Sequence, residues 1–154
     1  MEKTNVMRLL DASNINYEHF EYDKELTDGQ EIARVLNENP DCVFKTLVTR
    51  ASTKEYYVFC VPVNCSLNLK KAAKAVNVKS IEMIHQKELL PLTGYIHGGC
   101  SPIGMKKKFK TVINDTAELF DSIFVSGGKV GYQIKINPME LKNYVNAEFI
   151  DIID

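Results

Sequence analysis

Apolar positions along this chain follow two rhythms, and the switches between them mark its elements. From Thr4 to about Ser13, Val6, Leu9 and Leu10 recur at helical spacing, with Thr4 placed to cap the first turn. Asn14-Ile15-Asn16 interrupts that helix, and Tyr17 to Tyr22 reads as an extended, aromatic-rich segment. Thr27-Asp28-Gly29 opens a second helix whose apolar side is Ile32, Val35 and Leu36. Asn37 through Pro40 ends it, because a residue before proline avoids the α region. Val43–Arg50 and Tyr56–Val63 are rich in β-branched and aromatic residues and read as two strands joined by a hairpin at Ala51-Ser52-Thr53-Lys54. A helix opening at Leu67 or Asn68 carries Leu69, Ala72, Ala73 and Val76, turns Lys70, Lys71 and Lys74 outward, and stops at Asn77.

The second half is more broken. Val78–Met83 reads as a short strand, His85–Leu90 as a short helix ended by Pro91, and Gly94 as a turn. Thr111-Val112-Ile113 is a strand, and Asp115 with Glu118 forms a capping-box pattern for a brief helix through Asp121. Strands at Ile123–Val125 and Tyr132–Ile136 flank a turn at Ser126-Gly127-Gly128-Lys129. Asn137-Pro138 starts a helix through Tyr144, and Phe149–Ile152 adds a final strand. Helices and strands alternate irregularly and hairpins are present. The pattern therefore predicts an α/β fold of the mixed α+β kind, with a mixed sheet among helices, in a single domain over residues 1–154.

Composition narrows the function classes. The chain has 154 residues, 45% of them hydrophobic and 25% charged, and a net charge of −1. Such a balance fits a soluble globular domain and gives no global basic field, so any nucleic-acid contact must come from a local patch. No apolar run approaches the roughly 20 residues of a membrane span, and the first residues lack the apolar core of a signal peptide, so a cytoplasmic protein is expected. Cys42, Cys60, Cys65 and Cys100 form no Cys-x-x-Cys pair. They read as free, mostly buried thiols, and a zinc site from Cys60, Cys65, His97 and Cys100 matches no common ligand spacing.

Two stretches carry chemistry. His97-Gly98-Gly99-Cys100-Ser101-Pro102-Ile103-Gly104 holds three of the chain's eight glycines and can bring backbone N–H groups close to a ligand. It is neither a Walker nor a dinucleotide fingerprint. Backbone donors aimed at a developing oxyanion are one reading and a plain turn is the other. Cys100 is a nucleophile candidate with His97 or His85 as base, and Ser101 lacks the strand–turn–helix setting of a nucleophile elbow. Lys106, Lys107, Lys108 and Lys110 follow at once, as a solvated face or a phosphate-contacting patch. In Val43-Phe44-Lys45-Thr46-Leu47-Val48 both faces are apolar, so Lys45 reads either as a cation at the rim of a pocket or as a side chain snorkelling to solvent.

Taken together, Val43-Phe44-Lys45-Thr46-Leu47, Leu69-Lys70-Lys71-Ala72-Ala73-Lys74-Ala75, Gly94-Tyr95-x-x-Gly98-Gly99-x-Ser101-Pro102-x-Gly104-x-Lys106-Lys107 and Val125-Ser126-Gly127-Gly128-Lys129-x-Gly131 resemble the YbaK/EbsC family. These are aminoacyl-tRNA deacylases related to the editing domain of prolyl-tRNA synthetases. The resemblance covers nearly the whole chain. It implies a twisted, barrel-like mixed β-sheet surrounded by helices, and trans-editing of misacylated tRNA, foremost cysteine carried on proline tRNA. It implies no metal or other cofactor. Aminoacyl-tRNA is the implied partner, with prolyl-tRNA synthetase as a further one and no part for DNA or a membrane. The implied catalytic group is Lys45 with Gly98, Gly99, Cys100 and Ser101. The implied substrate-binding group is Tyr22, Pro102, Gly127, Gly128 and Gln133, and Lys70, Lys106, Lys107 and Lys108 are the implied tRNA contacts. In the family a cysteine substrate's own thiol is thought to attack the ester carbonyl, releasing the tRNA and a thiolactone. Two positions depart from the pattern: Gln133 stands where the family carries an acidic residue, and Val130 where it carries a basic one. The rival readings are an alanine- or serine-specific deacylase that uses water, and a non-catalytic module that binds aminoacyl-tRNA or a synthetase.

Overall fold

The short polar caps that the sequence places before each apolar run start its helices. A computed structural model describes residues 2–154. Thr4 Oγ1 accepts from Met7 N ahead of α1 (Asn5–Ala12), and Asp28 accepts from Glu31 N ahead of α2 (Gly29–Val35). Asn68 caps α3 (Leu69–Ala75), and Asn137 caps α5 (Pro138–Val145), where Pro138 fills the first helical position. Strand β1 (Tyr17–Glu21) precedes α2. The hairpin β2 (Phe44–Ala51) and β3 (Tyr56–Pro62) follows it, with β4 (Ile81–Met83) after α3. After α4 (Gln86–Thr93) come β5 (Lys110–Asn114), β6 (Ile123–Ser126), β7 (Tyr132–Ile136) and, beyond α5, β8 (Glu148–Ile150).

Three local readings need correction. The fourth helix runs through Pro91 to Thr93 and ends at Gly94, whose φ is +84°. Proline removes one donor, but Thr93 Oγ1 donates to Leu89 O and Gly94 N donates to Leu90 O, so the last turn holds. Asp115–Leu119 is a 3-10 helix rather than an α-helix with a capping box. Asn114 heads it, and its side chain is committed to Thr116 and to Ile152 N instead of the helix amides. Pro40–Cys42, read only as a helix end, forms another 3-10 turn.

The strands form two sheets, β1-β7-β6 and β4-β2-β3-β5-β8. Most neighbours are antiparallel, while β3 with β5 and β5 with β8 are parallel, so the sheet is mixed as its irregular alternation predicts. The sheets meet at a single parallel bridge, Val43 to Phe124, and form two separate sheets rather than a closed barrel. Strand β3 is buried on both faces. Tyr57, Phe59 and Val61 pack with Ala72 and Ala73 of α3 and Val76 just after it, while Cys60 joins Val6, Met7 and Leu10 of α1 and Ile134 and Ile136 of β7. This explains the unbroken apolar run at Tyr56–Val63.

One gap positions the site. Strand β2 pairs with β3 from Phe44 to Arg50, but β4 covers its other edge only at Thr49–Ala51 and the β6 bridge reaches only Val43. Among the described residues no strand pairs with the outer edge at Lys45–Leu47.

Candidate active site

A cleft of about 360 Å³ opens along that uncovered edge. Val43, Phe44, Lys45, Thr46 and Leu47 all line it, because a free strand edge offers both of its faces to the cavity. Lys45 is half-buried, lies opposite Val61 in register, and forms no ion pair among the described residues. An ammonium in a mostly apolar wall is therefore left to meet an anionic or strongly polar ligand. Tyr22 enters from the end of β1, where its N–H donates to Gly131 O; burial pushes its phenol up from the ordinary range. Gln133 enters from β7, between Phe20 and Ser126 in register, and is 4% exposed.

The glycine loop closes the opposite side. Gly98 and Cys100 face the cleft, with His97 at its mouth. Gly98 has φ +88°, and a Cβ on Gly99 would lie 2.9 Å from the backbone nitrogen of Val130, so the loop packs directly onto the turn after β6. Gly99 N–H donates to Ile96 O, Tyr95 Oη donates to Ile103 O across the loop, and Ser101 Oγ accepts from Ile103 N at 3.2 Å. The Cys100 amide, by contrast, donates to no protein acceptor among the described residues.

These contacts sort the residues singled out in the sequence. Lys45, Gly98, Cys100, Tyr22 and Gln133 are brought together around one cavity. Gly99, Ser101 and Pro102 are buried behind its wall: the Gly99 amide is spent on a turn, and the fully buried Ser101 hydroxyl on its own loop. Gly127 and Gly128 also lie outside it, since Gly127 N donates to Tyr132 O and Gly128 N to Ser126 Oγ to close the β6–β7 turn. Cys100 borders the cleft, but burial pushes its thiol up to about 12, so a thiolate is not populated at neutral pH. His85 heads α4 outside the cleft. Lys70, Lys106, Lys107 and Lys108 are exposed and line no part of the cavity, Lys106 packing beside Gly94 at the end of α4.

Sequence reasoning missed Thr27, Asp28, Leu89 and Ser126, which complete the wall. Asp28 was legible only as a helix cap. It serves as one, and it also supplies the carboxylate of the cleft. Leu89 comes from α4, whose approach to β2 is fixed by an Arg50–Glu88 ion pair, a long-range contact that no local pattern announces.

In chemical terms the cavity holds the Lys45 ammonium, the Asp28 carboxylate, the His97 imidazole at its mouth, a buried amide and an unpartnered loop N–H, and the Cys100 thiol on its wall is neutral. Such a site can bind and polarise an ester more readily than attack it. Comparison with known proteins gives the chain a family and a fold. The model of the aminoacyl-tRNA editing domain matches residues 23–144. A protein of Enterococcus faecalis (strain ATCC 700802 / V583) named as a candidate Cys-tRNA(Pro)/Cys-tRNA(Cys) deacylase, EbsC, is 39% identical over 153 residues, spanning 98% of this chain and 93% of that one. Among solved structures, a hypothetical protein, APE2540, superposes with a TM-score of 0.90 at 19% identity, over 98% of this chain and 100% of that one. A candidate trans-editing enzyme for prolyl-tRNA synthetase superposes with a TM-score of 0.85 at 20% identity, over 100% and 99%. At these identities the two structures speak for the fold, while the family rests on the sequence matches: this chain belongs to the aminoacyl-tRNA editing domain family.

Proposed function

We propose that this protein is a trans-editing aminoacyl-tRNA deacylase of the cytoplasm that releases cysteine from mischarged proline tRNA. The observation that carries the reading is the unpaired ammonium of Lys45 in a cleft that lacks a competent protein nucleophile. Lys45 holds the anionic 3′ end of the tRNA, and the Gly98 and Cys100 amides face the ester oxygen as it gains charge. With the Cys100 thiol neutral and the Ser101 hydroxyl occupied, the nucleophile comes from the substrate. The cysteine thiolate attacks its own carbonyl carbon, the ribose oxygen leaves and takes up a proton, and the products are a thiolactone and free tRNA. Exposed lysines at 106–108 and Lys70 contact phosphates, and prolyl-tRNA synthetase is the partner that would hand over its mischarged product. The curated relative's name supports the substrate class.

The test is deacylation of cysteinyl-tRNA(Pro), alanyl-tRNA and seryl-tRNA by the wild type and by Lys45→Ala. Cysteinyl-tRNA should be preferred and a thiolactone released. Lys45→Ala should lower turnover by about a hundredfold or more, the scale of a lost electrostatic contact in the transition state, with an unchanged circular dichroism spectrum. Full activity in that variant would sink the assignment. Faster turnover of alanyl- or seryl-tRNA would shift it to a water-using deacylase, and binding without turnover to a tRNA-holding module.

A further inference from the structure

Three buried side-chain oxygen atoms have no donor among the described residues: Glu38 Oε1, Glu38 Oε2 and Gln133 Oε1. Gln133 lines the cavity from β7, whereas Glu38 is half-buried and does not line it. The backbone fixes Glu38 firmly. Asn37 adopts φ +56° after α2, and Glu38 N–H donates to Ala33 O, closing the helix end. The Gln133 amide lies close enough to favour the carboxylate, although no hydrogen bond closes between them. The other charged or titratable groups acting on Glu38 are few. Lys135 of β7 favours its charge but is shared with Glu18 of β1, whose Oε2 lies 3.6 Å from Lys135 Nζ. Cys42 in the 3-10 turn is held neutral by burial and by its acidic neighbours Asp41 and Glu38.

A primary amide donates at one end and accepts at the other, and its two ends have almost the same shape. An ionised Glu38 can only accept, so it draws Gln133 Nε2 towards itself and turns Oε1, buried and without a partner in the structure, towards the cleft. A protonated Glu38 carries one O–H, which donates to Gln133 Oε1 and turns the NH₂ group outward. We propose that Glu38 is a positioning residue whose protonation decides whether the cleft meets the oxygen or the NH₂ of Gln133. Only a proton is exchanged with solvent; no covalent bond changes. Burial raises the Glu38 carboxyl to about 7, which places the exchange near neutral pH. The kinetic consequence rests on the deacylase reading: the oxygen accepts the α-ammonium of an aminoacyl group, and the NH₂ group opposes it. An acid–amide pair thereby supplies what a carboxylate on the strand would supply directly.

Two arms test this. In ¹⁵N-labelled protein, with the resonance assigned by its loss in Gln133→Leu, the Gln133 side-chain amide should move with a midpoint near 7 between about pH 5.5 and 8.5. In Glu38→Gln, which has no carboxyl proton to exchange, it should stay fixed. A Gln133 signal that ignores pH in the wild type, or still titrates in Glu38→Gln, overturns the proposal. In the kinetic arm, the ratio of KM for cysteinyl-tRNA(Pro) between Glu38→Gln and the wild type should change by about tenfold across that pH range, the size of one charge-assisted contact, with kcat moving less. A KM ratio that is constant with pH also overturns it. If the wild type deacylates none of the cysteinyl-, alanyl- and seryl-tRNAs, the deacylase reading fails, and the amide titration alone decides the pair.

Discussion

The residues that border the cleft teach most by what they cannot do. Cys100 borders the cleft with a thiol that burial keeps protonated, pushed up to about 12. Cys100→Ala should therefore keep deacylation within about threefold of the wild type, and the wild-type thiol should react slowly with iodoacetamide at neutral pH. A collapse in turnover would restore it as a nucleophile. Tyr95 has the opposite character: its hydroxyl ties the loop to Ile103 O inside the core. Tyr95→Phe leaves that carbonyl without a donor and should cost about 1–3 kcal/mol in urea denaturation. Much of this site was legible in the sequence. Lys45 stood out as a charge on an apolar strand, and the glycine cluster as a loop able to present backbone N–H groups. What stayed hidden was direction. Composition gives no sign that the Gly99 amide and the Ser101 hydroxyl are spent within the loop, or that Glu38 lies beside Gln133, because those contacts join residues far apart in the chain or fold back over a few positions.

At the level of elements, the apolar periodicity was a sound guide wherever a cap accompanied it. Asn137 accepts from both Met139 N and Glu140 N ahead of Pro138, so its side chain satisfies two amides that α5 leaves open. Asn137→Ala should lower stability by about 1 kcal/mol, read as a shift in the urea midpoint with an unchanged slope. The readings that failed did so where tertiary contacts overrode local signals. Pro91 is a strong helix stop in isolation, yet α4 continues past it because Thr93 and Gly94 satisfy the carbonyls of Leu89 and Leu90 and Glu88 is pinned to Arg50. Asn114 abandons the helix it heads to serve Ile152 on the far side of β5. Neither the parallel partners of β3 and β5 nor the division into two sheets is written in any local pattern, since parallel pairing joins distant segments.

For the whole molecule, charge sets a stability window. Asp11 beside Lys3 and Tyr17, Asp151 beside Lys71, Glu31 beside Arg34, and Glu88 capping His85 N all hold their carboxyls below the usual range. Each favours the folded state when ionised, and that contribution fades as pH falls through its folded pKa. Glu38 acts in the other direction. Its folded pKa of about 7 lies above the unfolded value near 4.5, so the folded state holds that proton more tightly and loses stability as pH rises between the two. The melting temperature should fall as pH drops below about 4.5 and, more gently, as it rises from about 4.5 to 7. Glu38→Gln should flatten only that second slope, and an unaltered slope there in that variant would remove Glu38 from the account. The gap along β2 has a further meaning at this scale. A strand edge without a neighbour is a row of open donors and acceptors, ready to be extended by any stray strand, and nature often guards such edges with lysine. Lys45 stands on that edge, so in the proposed reading the side chain that meets the substrate is also the kind of charge that such edges set against pairing with a second copy.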